Sequence, residues 1–406
     1  MERVRPEEVG LSSARLLRID RHLERRYVDQ KKIAGALTLV ARKGKVAYLQ
    51  PIGMADLEHG KPMREDAIFR IYSMTKPVAS VALMTLYEHG QFQLDDPVSK
   101  FIPAWREQRV YEGGNHPTFL TRPVDRPMSI RDLLTHTSGL TYGFMERTNV
   151  DRAYRRLGIG ERSGTLAEMI ERLARLPLEF SPGTRWNYSV STDVVGHLVE
   201  VISGRPLDVY LREEIFEPLG MSDTGFFVPT EQLDRLAVNY SRLPDKSLEI
   251  EDEPGSSPYA RPPTFFSGGG GLVSTAGDYL RFCRMLLEGG QLDGTRVLGR
   301  KTIELMTMNH LPGGQDIAAL NLGGQFSQVE YVGVGFGLGF SVTLDLAAAQ
   351  IIGSPGEYAW GGAASTAFWI DPAEELVVIF MTQFMPSGTF NFRGQLKSIV
   401  YPAIVD

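Results

Sequence analysis

Hydrophobic and polar positions divide this chain into two strand-bearing ends and a helical middle. Near the start, Leu16, Ile19 and Leu23 recur at helical spacing, and Val9, Leu11 and Leu17 widen the stripe, which predicts a helix over 7–30. Two β runs follow, Gly35–Ala41 and Val46–Leu49, and the link Arg42-Lys43-Gly44-Lys45 has its glycine placed for a hairpin turn. Residues Val78 to Tyr87 are then apolar nearly all round. A helix without a wet face belongs in the middle of a domain. Pro77 suits its first turn and Gly90 its end, so this helix is expected from near Ser73 to near Gly90.

The pattern changes at about 91. Segment 95–180 reads as loop-rich and mostly helical, with a capping box at Thr165-Leu166-Ala167-Glu168 opening a helix to Leu176. Further helices are expected over 191–203 and 206–217. The stretch 244–271 is rich in Pro, Gly and acid, ends in Gly268-Gly269-Gly270-Gly271, and reads as a long mobile connection. No Gly-Lys-Ser/Thr follows those glycines, which argues against a phosphate loop. Ser274 to Asp278 caps an amphipathic helix to Glu288. Strand-like runs return at Val332–Thr343, Thr366–Ile370 and Leu376–Met381, with a turn at Asp371–Glu375 and a last helix over 393–403. The expected architecture is an α/β domain with an antiparallel sheet, built from 1–90 and 272–406, with a mainly helical, long-looped domain inserted over 91–271.

Composition narrows the function classes. The chain has 406 residues, 43% hydrophobic and 23% charged, with a net charge of −6, so it carries no electrostatic footprint for nucleic acid. The one basic cluster, Arg21, Arg25, Arg26, Lys31 and Lys32, is interleaved with Glu24 and Asp29 and reads as a solvated helix face. Cys283 is the sole cysteine, which rules out an intrachain disulfide and suits a core thiol. The N-terminal residues lack the apolar run of a leader and no stretch is long enough to span a bilayer, so a cytoplasmic location without membrane partners is expected. No histidine belongs to a zinc pattern; His136 and His197 read as structural, and neither a metal nor a cofactor is expected. Oligomeric state stays open.

Ser73 and Lys76 form the only Ser-x-x-Lys of the chain. Three residues apart, they share one face of the buried helix's first turn. The hydroxyl then stands at the positive end of the helix dipole, beside an amine that burial pushes toward neutrality, the pattern of an activated nucleophile. A second stretch, Phe180 to Ser191, carries a Pro-Gly turn and Tyr188 just before a helix. A third, Glu357 to Ala363, leads Trp360-Gly361-Gly362 into a strand, and paired glycines there let another group approach the backbone closely. No Gly-x-Ser-x-Gly elbow of the α/β-hydrolase kind occurs.

Taken together, these stretches resemble the serine β-lactamase and penicillin-binding protein superfamily, and within it the class C-like family VIII carboxylesterases. Ser73-Met74-Thr75-Lys76 matches the nucleophile motif, Tyr188-Ser189-Val190 falls where the superfamily has Tyr-x-Asn, and Trp360-Gly361-Gly362 falls where lactamases have Lys-Thr-Gly and the esterases Trp-x-Gly. Leu133 to Leu140 and Pro218-Leu219-Gly220-Met221 are further family phrases, and the resemblance runs from about residue 10 to the C-terminus. It implies a β-lactamase-like fold and acyl transfer through an ester on Ser73. Lys76 and Tyr188 are then the base system, and the oxyanion lies between the backbone amides of Ser73 and Ala363. Two departures strip polar anchors from the pocket: Val190 replaces an amide and Trp360 replaces a cation. With Tyr72, Trp186 and Tyr358, these residues and Gly361 and Gly362 are expected to line an apolar substrate wall by the acyl group, beneath loops 144–164, 244–271 and 311–330. The implied activity is hydrolysis of small esters with short acyl chains, with weak action on β-lactams. The alternatives are an acyltransferase of the statin-pathway type, a β-lactamase or D-Ala-D-Ala peptidase and, last, a non-catalytic binding protein.

Overall fold

The structure, a computed structural model, describes residues 2–323 and 331–406. Both ends of the chain feed one eight-stranded sheet. The N-terminal part supplies β1 (Gly35–Arg42), β2 (Lys45–Asp56) and β3 (Lys61–Pro62). The C-terminal part supplies β4 (Val334–Phe336), β5 (Ser341–Thr343), β6 (Tyr358–Gly361), β7 (Ala367–Asp371) and β8 (Leu376–Thr382). The order is β4-β5-β6-β7-β8-β1-β2-β3, antiparallel throughout. The two ends meet where β1 pairs with β8, Leu39 opposite Ile379. Every residue of both strands is buried, which is why each reads as a mainly apolar run instead of an alternating one. Lys43 and Gly44 turn β1 into β2 with φ of 52° and 74°, the left-handed pair that a tight hairpin requires.

Four helices position the site: α1 (Thr75–Glu88), α2 (Ser191–Ser203), α3 (Ala276–Leu287) and α4 (Phe392–Val400). Successive side chains of the sheet serve opposite faces. Leu37, Leu39, Ile379 and Met381 pack with Val78, Val81 and Ala82 of α1 and Phe282 of α3. Ala36, Val40, Val378 and Phe380 pack with Leu16, Ile19 and Leu23 and with Leu396 and Val400 of α4. Helix α1 is buried from Thr75 through Leu86, as its all-round apolar sequence demands. Cys283 is a free, buried thiol on α3. No helix among the described residues is long and apolar enough to cross a membrane.

The structure departs from the sequence pattern in four places. The helix expected over 7–30 is broken: a turn at Pro6–Val9 ends at Gly10, whose φ is 72°, and helical turns then run from Ser13 to Val28 with a π-helical turn over Glu24–Val28. The run Val332–Thr343 is a hairpin, β4 and β5, because Gly339 turns the chain at a φ of 98°. Within 95–180, Arg109–Asn115 and Thr118–Pro123 form a second hairpin. The stretch 244–271 is no loose connection. Leu248–Asp252 pairs with Asn239–Arg242, which in turn pairs with Phe384–Met385. The Asp252 carboxylate receives Nε of the fully buried Arg70 at 2.5 Å, and a guanidinium so deep must be paired.

Candidate active site

A one-turn 3-10 helix, Tyr72–Met74, feeds directly into α1 and places Ser73 at its head. Tyr72 has a φ of 41°, in the left-handed region that costs a bulky residue about 1–2 kcal/mol. Contacts on its ring hold it there: Asn239 Nδ2 donates to the Tyr72 hydroxyl at 3.2 Å, and Tyr259 meets the ring edge-on at 6.3 Å. Tyr279 OH donates to the Met74 carbonyl at 2.9 Å, and the Leu272 amide to Thr75 Oγ1 at 3.1 Å, which ties the first turn to the segment before α3. Ser73 itself stays partly accessible.

Two groups converge on the Ser73 hydroxyl. Lys76 Nζ is 3.2 Å from Oγ, and the Tyr188 hydroxyl donates to Oγ at 2.6 Å. Lys76 is 1% exposed and also donates to the carbonyl of Gly269 at 2.7 Å. Its ammonium position lies 4.4 Å from the centroid of the Tyr188 ring and 5.4 Å from that of Tyr142. Burial pulls the Lys76 pKa down to about 7, against the nearby Asp193 carboxylate, which raises it. Burial likewise pushes the Tyr188 phenol up, although its hydrogen bond to Ser73 and the indole of Trp360 pull the other way.

The four-glycine run explains how Lys76 is held. Asp193, on α2, accepts from Ser267 Oγ at 2.5 Å and from the Gly269 amide at 3.0 Å, and so fixes the carbonyl that faces Lys76. A Cβ on Gly269 would lie 2.6 Å from the Asp193 carboxylate, and one on Gly268 would lie 2.5 Å from the Thr192 carbonyl, so the passage admits only glycine. Gly362 plays the same part at the end of β6. A Cβ there would meet the Ile71 carbonyl at 2.5 Å, so the strand end carrying Gly362 and Ala363 lies directly against the turn that bears Ser73.

Aromatic rings surround Tyr188: His136 at 5.0 Å, Tyr142 at 5.3 Å, Trp360 at 5.6 Å and Trp186 at 6.3 Å between centroids. Above them, loops are pinned to one another. Arg162 lies 3.4 Å over the Tyr259 ring, Thr264 Oγ1 donates to the Gly164 carbonyl at 2.7 Å, and Arg147 joins Gly323 O to Asn187 Oδ1. Part of the covering loop expected at 311–330, residues 324–330, lies outside the described residues.

A serine hydroxyl between a lysine amine and a phenol, at a helix start and facing a glycine-lined strand end, is the arrangement of one family of acyl-transfer proteins. The beta-lactamase family matches residues 21–397. The chain belongs to that family. Among curated proteins, the chain is 39% identical to protein Rv1367c of Mycobacterium tuberculosis, over 89% of this chain and 88% of that one. It is 32% identical to Esterase EstB of Burkholderia gladioli, over 88% of each. Among solved structures it resembles EstCE1, described as a hydrolase with promiscuous acyltransferase activity, with a TM-score of 0.80, 28% identity and coverage of 96% and 98%. The beta-lactamase-like fold and the family VIII likeness read from the motifs agree with these findings.

The residues singled out by sequence sort into three groups within this beta-lactamase-like chain. Ser73, Lys76 and Tyr188 meet within hydrogen-bond distance, and Gly362 and Ala363 lie against their turn. Trp186 and Trp360 wall the site through Tyr188, Tyr72 borders it from the other side, and Val190, fully buried, lies 3.7 Å from the Cβ position of Gly160 in the covering loop. Gly361 faces away, toward Arg393 of α4. Tyr358 is a correction: it is 2% exposed, packs its ring 5.3 Å from Phe340 and has its hydroxyl pKa raised by the surrounding core, so it is not part of the cleft. Sequence reading missed Asp193, Gly269 and Tyr142. The glycine run was the available signal for the first two; nothing in the local pattern marked Tyr142.

Proposed function

We propose that this protein is a serine carboxylesterase that cleaves short acyl esters through an acyl-enzyme on Ser73. The protein is a carboxylic ester hydrolase, in keeping with its esterase relative and its hydrolase structural neighbour. One observation carries the mechanism: Ser73 Oγ lies between the Tyr188 hydroxyl at 2.6 Å and a Lys76 amine whose pKa burial brings to about 7.

Burial disfavours charge on both partners, so the reactive form of the pair, a neutral amine and a neutral phenol, is populated near neutral pH. The Tyr188 proton points at Oγ, so the serine's own proton faces the lone pair of Lys76. As Oγ attacks the ester carbonyl, Lys76 takes that proton and the carbonyl electron pair moves onto oxygen, toward the amides of Ser73 and Ala363. Each such donor is typically worth about 10²–10³ in turnover. Collapse breaks the bond to the leaving alkoxide, which takes the Tyr188 proton, and Lys76 restores the phenol. Water then attacks the acyl carbon and gives its proton to the same pair; collapse breaks the bond between Ser73 Oγ and the acyl carbon, the pair returns the proton to Oγ, and the acid leaves.

Val190 and Trp360 offer no substitute for the amide and cation that a β-lactam uses, so a small ester is the better substrate. The acyltransferase reading differs only in an alcohol taking the place of water, and the structural neighbour's promiscuous acyltransferase activity favours keeping it second. The test is a series of p-nitrophenyl esters beside nitrocefin and benzylpenicillin, with and without an added alcohol. Highest kcat/KM is expected at about C2 to C6, graded by roughly 10–200-fold per step of fit at most. Ser73→Ala should abolish turnover, and a fluorophosphonate should label Ser73 alone. Penicillin turnover rivalling that on the butyrate ester defeats the reading.

A further inference from the structure

The basic cluster near the N-terminus alternates with acids along the sequence, and the fold separates the two signs. In the helical segment 13–28, Leu16, Ile19 and Leu23 turn to the core. Asp20 and Glu24 lie on the flank over β2. There Asp20 accepts from the Tyr48 hydroxyl, and burial, Asp20 and, more weakly, Glu24 keep that phenol protonated. Asp29 stands at the C-cap of the last turn. Arg18, Arg21, His22, Arg25 and Arg26 remain, at i, i+3, i+4, i+7 and i+8, the spacing of one helix face. With Ile399 of α4 they line an open groove of about 390 Å³ between the two helices. Hydrogen bonds fix its walls: His22 Nε2 donates to Gln395 Oε1 at 2.8 Å, and Arg15 Nη1 donates to the Pro402 carbonyl at 2.7 Å.

Like charges three and four residues apart destabilise a helix, so such a face calls for a counter-charge. The chain supplies none. No carboxylate forms an ion pair with Arg18, Arg21, Arg25 or Arg26 among the described residues, whereas the exposed Arg64, Arg205 and Arg300 each hold one. Residues 391–404, which form α4 and the turn after it, contain no Asp or Glu. The C-terminal Asp406 is taken by Arg42 and Lys43.

We propose that this groove binds an oligophosphate, a small soluble anion carrying two or three linked phosphates. All four permanent cations are arginine, whose planar fork takes two phosphate oxygens at once, where lysine offers only a point charge. One phosphate group carries about −1.5 to −2 at pH 7, so two or three in a row balance four guanidinium groups. From Arg18 to Arg25 the helix rises about 10 Å, which is room for such a chain lying lengthwise. A concave seat suits a small ligand. The net charge of −6 on the whole protein repels an extended polyanion or an anionic membrane, which would have to meet more than the groove. The site lies on the face of the sheet opposite α1, apart from Ser73, and stands independently of the esterase reading.

Calorimetry on the full chain tests the site, with sodium tripolyphosphate and phosphate compared at one ionic strength. Tripolyphosphate should bind roughly 10–100-fold more tightly than phosphate, and its Kd should rise by a similar factor in the double variant Arg21→Gln with Arg25→Gln. Glutamine is nearly as good a helix former as arginine, so the helix itself should persist. Arg64→Gln with Arg205→Gln, which removes two exposed arginines elsewhere, should leave the Kd unchanged. Absent tripolyphosphate binding, equal affinity for phosphate, or binding that the Arg21 and Arg25 double variant keeps overturns the proposal. So does binding to phosphatidylserine vesicles that this variant abolishes while tripolyphosphate goes unbound, because the arginine face is then a lipid-docking surface.

Discussion

Two lysines of this protein are buried almost equally, on opposite faces of the sheet, and they are treated in opposite ways. Lys397, on α4, is 3% exposed and forms an ion pair with Glu357. The Tyr401 hydroxyl caps that pair, contacting Glu357 at 2.5 Å and Asp371 at 2.7 Å. Lys76, on α1, is 1% exposed and has no carboxylate within ion-pair distance among the described residues, only a carbonyl and the Ser73 hydroxyl. Burial lowers the pKa of both, and at Lys397 the adjacent Glu357 works against it. The difference teaches that burial alone does not mark a catalytic lysine. What marks it is burial without a directly paired carboxylate, because that leaves an amine able to take and return a proton near neutral pH.

Replacing each lysine by methionine is the sharpest way to break the contrast. Lys76→Met removes the base and should lower kcat/KM on a butyrate ester by about 10³-fold or more, while Lys397→Met should leave the folded enzyme within a few-fold of the native rate. Because Lys76 and Tyr188 act on one proton, the double variant Lys76→Met with Tyr188→Phe should cost little more than the worse single change. Steady-state rates on protein normalised by active-site titration decide this. Losses that multiply in the double variant mean that the two groups work separately.

Stability should rank the same two variants the other way. Lys397→Met strands the Glu357 carboxylate in the core and should cost about 3–5 kcal/mol. Lys76→Met removes a buried amine that no carboxylate pairs with directly, and should be neutral or stabilising near pH 7. The sign follows from linkage. The folded pKa of Lys76, about 7, lies below the ordinary 10.5, so between those values the unfolded chain binds more protons and stability from this residue rises with pH. The gain from Lys76→Met is therefore largest at pH 7 and below, and fades as pH approaches 10.5. Urea unfolding at pH 7 and pH 10 measures both effects. A Lys76→Met protein less stable than native at pH 7 contradicts the picture of an uncompensated amine.

The contrast also shows what a sequence exposes. Ser73 and Lys76 were legible because their relation is local: three residues apart at the start of a helix that is apolar on every side. The sheet was legible at β1 and β8, whose mainly apolar runs announce burial on both faces. Tyr358 was misplaced for a physical reason. It shares a face of β6 with Trp360 but sits two residues deeper, and there the face meets Phe340 in the core. The acid-rich stretch before the glycine run looked solvated because the partner of Asp252, Arg70, lies far away along the chain. Gly269 and Asp193 were hidden in the same way: Gly268, Gly269 and Gly271 each answer a close approach that only the folded chain creates. The counter-charge of a lysine is likewise a tertiary fact, so the residues themselves could not tell the two lysines apart.

The smallest expected effect is the pH profile, and it tests the contrast most directly. If the neutral Lys76 amine takes the Ser73 proton, kcat/KM on an uncharged ester should follow the fraction of amine present. With a pKa of about 7, that fraction rises about tenfold between pH 6 and pH 8 and then levels off. Tyr188 adds no second inflection in this range, because burial holds its phenol protonated well past neutrality. The Asp193 carboxylate opposes the depression of Lys76, so Asp193→Asn should move the acid limb to lower pH, even if the altered Gly269 loop lowers the plateau. Lys397→Met, on the far face of the sheet, should leave the inflection where it is. An inflection near 10, or one that follows Lys397 and ignores Asp193, would mean that Lys76 keeps its proton at rest. The serine's base would then have to be sought in Tyr188 alone.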